Sequence, residues 1–436
     1  MHSTRQQFTN ASLLKLVHGI FKQNHQDAPG TFAISTADCL MSALAMFTLK
    51  YPSLLQFDQE IHYKALRHNL KTLYDVKMAP CDTTMRERLD GVDLTTIRSA
   101  CQAILYRLQR GKVLERWRFL EKYYLVSLDG SQFFSSNKVH CNHCCETHHK
   151  NGSITYHHQM VVGSIVNPSM RQVLPIGFEP IVKEDGALKN DCERNASKRW
   201  LQEFRTQHPQ LPTVIVADGL SANDPFIAML EQHRCHYILV CREDDHKYLW
   251  DWFWHAEAPD MVAFEEIDTN VTKHYRFMHN VPLNDSSDRK VTVVYYQELH
   301  TKPAKSKRKK PDYSCGWVTD LAVTVENVKE IVKGGRARWK IENETFNTLK
   351  NQNYNFAHNY GHGFKTLSNI LAGIMLLAFL IDQTLESVNL DFQKSLKHLV
   401  SRCNLWRQIS ARFSLLHLES WDQLYSSILD PPILVI

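Results

Sequence analysis

The sequence predicts an α/β fold: a mixed sheet with flanking helices, interrupted by a β-rich insertion, with helical regions at the N- and C-terminal ends. Three observations predict it. From residue 123 onward, short runs of β-branched and aromatic residues recur, bounded by Gly, Pro, Asn or Asp, as strands are. Helix-patterned stretches separate the later runs, which gives an α/β order. The residues before about 115 and those beyond Phe364 keep the apolar spacing of helices instead.

Residues 1–118 form the first helical region, with clear patterns at 38–49 and 95–108 and a turn at Ala79-Pro80-Cys81-Asp82. Such a region before the sheet suits a separate binding module or a helical cap on the core. Residues 119–242 form the first part of the α/β core, with strands at 124–128, 159–165, 172–176, 213–217 and 236–241 and helices at 193–207 and 224–233. Strand-like runs at 261–267, 271–279 and 291–300 place the insertion within 243–316. The second part of the core, 317–382, opens on a return strand ending at Asp320; that acid reads as structural, because Leu321 offers no turn after it. A helix follows over about 327–352, with Val328, Ile331, Val332, Trp339, Ile341, Phe346 and Leu349 as its apolar face and an interruption at Gly334-Gly335. The uncharged run 370–381 spans twelve residues, a buried helix too short to cross a bilayer. Residues 383–436 are helical.

Three acids stand out. Asp129 follows Tyr123-Tyr124-Leu125-Val126-Ser127-Leu128, Asp218 follows Thr213-Val214-Ile215-Val216-Ala217, and each precedes a glycine, so both read as strand ends entering a turn. Glu342 lies on the 327–352 helix. Two strand-end aspartates and a helical glutamate can meet at one point. Phosphodiester chemistry uses two Mg²⁺ ions about 4 Å apart, each taking only one or two carboxylates, so three converging acids suit such a pair. Arg338, one turn before Glu342, is placed to meet a phosphate; Glu344, two residues further on, falls on another face of a regular helix.

The net charge is only +5, so basicity matters locally. Lys302, Lys305, Lys307, Arg308, Lys309 and Lys310, interspersed with Pro303 and Pro311, form a solvated loop that suits either nucleic-acid phosphates or plain surface. His140-Cys141-Asn142-His143-Cys144-Cys145-Glu146-Thr147-His148-His149, followed by His157-His158, gathers soft ligands. Cys141 and Cys144 have the spacing of half a zinc site, which His148, His149, His157 or His158 could complete as a structural centre. Thiolates select zinc, so this would not be the catalytic metal. The polar residues 1–10 lack the apolar core of a secretory signal, and eleven cysteines, an odd number, suit reduced thiols; the expected location is cytoplasmic.

From about Tyr123 to Gly363 the chain resembles bacterial insertion-sequence transposases of the DDE type, whose glutamate helix carries a Tyr-x2-Arg-x3-Glu-x6-Lys signature. Arg338-Trp339-Lys340-Ile341-Glu342 matches its Arg-x3-Glu core; Leu128-Asp129-Gly130-Ser131 and Asp218-Gly219-Leu220-Ser221-Ala222-Asn223 resemble its aspartate blocks. Gly335 stands at the tyrosine position and Leu349 at the lysine position, with Lys350 one residue late. The resemblance implies an RNase H-like catalytic domain with Asp129, Asp218 and Glu342 as the Mg²⁺ (or Mn²⁺) triad. It implies DNA-end binding by the helical region 1–118, Arg338 and Lys350 at the DNA, double-stranded DNA as transposon ends and target, and a homodimer in the active complex, associated with the nucleoid and no membrane. The implied activity is cleavage at transposon ends and joining of 3′-hydroxyls to target DNA. The alternatives are a DDE-type nuclease without strand transfer and a non-catalytic, zinc-stabilised DNA-binding protein of transposase descent.

Overall fold

The computed structural model describes residues 6–27, 33–183, 192–256, 261–268, 270–300 and 312–431. Among the described residues the helices α1 (Asn10–Asn24), α2 (Thr36–Thr48), α3 (Leu54–Glu60), α4 (Lys64–Tyr74), α5 (Asp82–Leu89) and α6 (Leu94–Arg110) come first. Short polar side chains set their starts. Thr9, Ser35, Ser53 and Asp93 each accept a hydrogen bond from a first-turn N–H that has no partner within the helix.

The chain then alternates. β1 (Arg118–Phe119), β2 (Tyr123–Ser136), β3 (Cys145–His148), β4 (Ile154–Val166) and β5 (Leu174–Ile181) precede α7 (Glu193–Gln207), β6 (Thr213–Ala217), α8 (Asp224–Gln232), β7 (His236–Val240) and α9 (Lys247–Trp254). β8 (Met261–Asp268), β9 (Val271–Pro282), β10 (Lys290–His300) and β11 (Tyr313–Thr319) follow. These strands form one mixed sheet in the order β3-β4-β2-β6-β7-β11-β10-β9-β8, with β1 on β2 and β5 on β4. The centre is parallel, β2 to β6 and β6 to β7. β6 is buried at every residue, as a strand covered on both faces must be. The β-rich stretch is present and extends the same sheet: β8 to β10 pair outward from β11, which itself pairs with β7.

After β11 come α10 (Val328–Arg336), a turn at Ala337-Arg338, a π-helical segment (Ile341–Phe346) and α11 (Asn347–Asn351). Last are α12 (Leu367–Val388), α13 (Leu390–Leu399), α14 (Arg402–Leu415) and α15 (Trp421–Leu429). α12 has 22 residues, not the twelve its uncharged run suggests; it is long enough to span a bilayer, yet its whole apolar window is buried. It packs on α2, α6 and β5, as a core helix does. The helices before and after the sheet share that core. Lys50 and Asp382 form a buried ion pair at 2.7 Å, with the Tyr354 and Trp406 rings 4.0 and 4.2 Å from the ammonium.

Two expectations are corrected. β2 does not end at Asp129 but runs seven residues further, because Gly130 and its successors keep their ladder with β4 down to Ser136↔Tyr156, through an irregularity at Gln132/Phe134. Gly334 and Gly335 do not interrupt their helix. A Cβ on Gly334 would lie 2.7 Å from Phe119, and one on Gly335 would lie 2.5 Å from Trp317. They let α10 lie close on the sheet, and the break comes at Ala337-Arg338. Gly335, where the resembled signature has tyrosine, has no room for a ring.

Gly163 of β4 and Gly177 of β5 face each other in register under the Trp200 indole of α7. A Cβ on Gly163 would sit 2.0 Å from Trp200 Cζ2. Gly163→Ala must therefore push α7 off the sheet, at a cost of about 3 kcal/mol from overpacking. Chemical denaturation of the variant reads that loss directly.

Candidate active site and metal centre

The parallel register brings the two aspartates side by side. Tyr124 pairs with Thr213 and Ser127 with Val216, and the same offset of 89 continued two residues sets Asp129 (129 + 89 = 218) beside Asp218. Adjacent strands lie about 4.8 Å apart, so the side chains are neighbours. Asp218 does end its strand: it caps a short 3-10 turn, accepting from the Leu220 N–H at 3.2 Å. Asp129 sits mid-strand opposite Val162 and accepts from the Gly130 N–H at 3.0 Å.

The π-helical segment is bound to this part of the sheet. Ser127 Oγ donates to the Arg338 carbonyl at 3.1 Å, and Ser164 and Thr345 hydroxyls meet at 3.4 Å. π-helical turns inside α-helices gather at functional sites. Here the turn carries Glu342, which is exposed, and Glu344, which is half-buried and lies 3.7 Å from Arg171.

The electrostatics identify which groups crowd together. The Asp129 carboxyl is pushed up from 3.8 to about 6: burial is the main cause, Glu342 and Asp218 add to it, and Arg338 and the Gly130 N–H oppose it. Arg338 itself is buried, with its guanidinium 4.3 Å from the centre of the Trp339 ring. It faces inward as a counter-charge to Asp129, where the sequence placed it at a phosphate. Lys350 is exposed at the end of α11. Lys307, Arg308, Lys309 and Lys310 lie outside the described residues.

A fourth acid was missed. Glu193, in the first turn of α7, is raised by burial of its carboxyl and then by Asp129 and Asp218. A Cβ on Gly130 would lie 2.8 Å from the Glu193 carboxyl carbon, so Gly130 is the gap through which Glu193 reaches Asp129. The Trp200 seat two turns on fixes α7 at this height. The only sequence signal for Glu193 was an acid opening a helix. Asp320 behaves as structural: its carboxylate meets His236 Nδ1 at 2.7 Å and the Tyr237 N–H at 3.0 Å.

What the arrangement can do follows from the donor set. Asp129 and Asp218 are half-buried and Glu342 is exposed; like charges near one another, one of them holding its proton above the usual carboxylate range, are of the kind whose repulsion a hard divalent cation would relieve.

The cysteine-histidine cluster is real but differently composed. Cys141, Cys144, His158 and His362 offer four donor atoms all within 4.8 Å of one another, a group that could bind a metal such as zinc. His148 and His149, expected as ligands, turn away: His148 Nε2 lies 3.1 Å from Glu146, and His149 Nε2 lies 2.8 Å from Thr155 Oγ1. His158, paired with Phe134 across β2 and β4, is buried, whereas His148 and His149 are exposed. His362 comes from the loop between α11 and α12, far away in sequence.

No protein-family model matches the chain, and no curated protein matches it. Among solved structures, the cryo-EM structure of a piggyBac transposase synaptic complex with hairpin DNA is similar over 100% of this chain and 84% of that chain. The TM-score is 0.42 and the sequence identity 10%, a likeness too loose to carry an argument about this chain.

Proposed function

We propose that the chain is a DNA transposase of the DDE type with an RNase H-like catalytic core. It cuts at the ends of its element and joins the freed 3′-hydroxyls to target DNA. The observation that supports this best is the parallel β2–β6 register, paired as far as Ser127 and Val216, whose continuation carries Asp129 and Asp218 to the same edge of the sheet. In this reading Asp129, Asp218 and Glu342 hold two Mg²⁺ or Mn²⁺ ions. When bound, the ions supply Lewis-acid stabilisation of the attacking and leaving oxygens of an in-line displacement. Arg338 keeps Asp129 poised and limits the repulsion among the acids. Lys307, Arg308, Lys309 and Lys310, together with Lys350, supply phosphate contacts, and the active complex is a homodimer on two ends.

The test is incubation of the purified chain with Mg²⁺ and linear DNA carrying the sequences that flank its gene, followed by gel analysis of cut and joined products. Wild-type protein yields both. Asp218→Ala yields neither while retaining DNA binding, because phosphate contacts, not the triad, carry affinity. Cutting by Asp218→Ala overturns the site; cut ends without joined products assign a nuclease instead.

A further inference from the structure

We propose that Cys141, Cys144, His158 and His362 form a tetrahedral zinc site that fastens the far end of β2 to the loop behind the Glu342 helix. Zinc bound by two thiolates at about 2.3 Å and two imidazoles at about 2.05 Å requires edges of roughly 3.8 Å between sulfurs, 3.6 Å from sulfur to nitrogen and 3.4 Å between nitrogens. Five edges are on hand. The sulfurs lie 3.9 Å apart, and His158 Nε2 lies 3.7 Å from Cys141 Sγ and 3.4 Å from Cys144 Sγ. His362 Nε2 lies 3.2 Å from Cys144 Sγ and 3.2 Å from His158 Nε2. Four soft donors thus face one centre at the separations that one ion imposes.

The surroundings are built for it. Cys144, His158 and His362 are buried, at 1%, 1% and 8% exposure. His362 Nδ1 meets the Gly363 carbonyl at 2.8 Å, which fixes the tautomer that leaves Nε2 free as a ligand. The Cys141 N–H points to Cys144 Sγ at 3.5 Å. Cys145, the other candidate thiol, is turned to the Ile181 carbonyl. Phe134 lies against both imidazoles, its ring centre 5.7 Å from His158 and 4.7 Å from His362.

His362 is presented by a loop that suits the task. Gly363 has φ +67°, and a Cβ there would lie 2.3 Å from Asp90 Oδ1. That carboxylate accepts the N–H groups of Phe364, Lys365 and Leu367 and so holds the loop from behind. Cys141, Cys144 and His158 belong to the β2–β4 hairpin beyond Asp129; His362 follows the segment carrying Glu342. One ion therefore joins two parts of the chain 204 residues apart. The rival is a redox dithiol. A disulfide would need the sulfurs to close from 3.9 Å to about 2.05 Å, which would leave two buried imidazoles facing each other without a ligand.

The zinc site does not depend on the phosphoryl-transfer reading, and its test needs no DNA. Elemental analysis of freshly purified, unchelated full-length protein should give about one zinc per chain. Replacement with Co²⁺ should give thiolate charge-transfer and tetrahedral d–d absorption. His362→Ala and Cys141→Ser should lose the metal and lower Tm by roughly 5 °C, while His148→Ala and His149→Ala keep both. If His362→Ala fails to fold, chelation of the wild type decides: zinc release should expose two newly reactive thiols. Metal-free wild-type protein, a Cys141–Cys144 disulfide as isolated, or full zinc in His362→Ala would overturn the assignment.

Discussion

Asp129→Asn should abolish Mg²⁺-dependent DNA cleavage, a loss on the order of 10³-fold or more, and at the same time make the metal-free protein more stable at neutral pH. Both effects have one cause. The Asp129 carboxyl is raised from 3.8 to about 6 by burial and by Glu342 and Asp218. For an acid raised in this way, the favourable contribution to folding is complete below the unfolded value and disappears as pH climbs through the folded one. At pH 7 the ionised side chain is therefore a net cost, of about 1–3 kcal/mol. Asparagine keeps the acceptor for the Gly130 N–H and removes the charge. In thermal unfolding with EDTA, the variant's advantage should be absent below about pH 4, grow through about pH 6 and then level off. An advantage that grew on acidification would overturn the account. The same proton governs loading: below about pH 6, cleavage at limiting Mg²⁺ should fall about tenfold per pH unit.

Glu342→Gln should be as inactive as Asp129→Asn, whereas Glu344→Gln should cleave normally. The sequence argument for this choice rested on a regular helix, in which Glu342 shares a face with Arg338. That argument does not survive the turn at Ala337-Arg338 and the π-helical segment at Ile341–Phe346, since neither advances by 100° per residue. The expectation now rests on a different reason. The charge of Glu342 raises Asp129, while Glu344 pairs with exposed Arg171, a contact of about 0–1 kcal/mol. Endonuclease assays of both variants decide it, and an inactive Glu344→Gln beside an active Glu342→Gln would mean that the segment faces the other way.

The contrast shows what the sequence could carry. β6 and α7 are legible to the residue, because an unbroken apolar run between turns and an amphipathic stretch leave little choice. β2 was cut short because Asp-Gly is the usual wording of a turn; here glycine serves instead as the space through which Glu193 reaches Asp129, and nothing local says so. The zinc half-site was legible as Cys141 and Cys144 because their spacing is local. His362 was not: its partnership is created by the sheet, and its one trace is a histidine between two glycines, Gly361 and Gly363, both with positive φ.

The shared helical core has a consequence for how the protein comes into being. Lys50 waits for Asp382, 332 residues later; Asn69 waits for the carbonyl of Phe413, and Asn10 for the hydroxyl of Tyr425, 415 residues later. Contacts so distant along the chain slow folding and cannot form while the ribosome still holds the later half. The first helices to emerge must stay unfinished until the last have been made. A message broken before α15 thus releases a chain that lacks its closing contacts and is open to proteolysis. Translation to the end becomes a condition for a stable product, a check that operates before the chain can act at all.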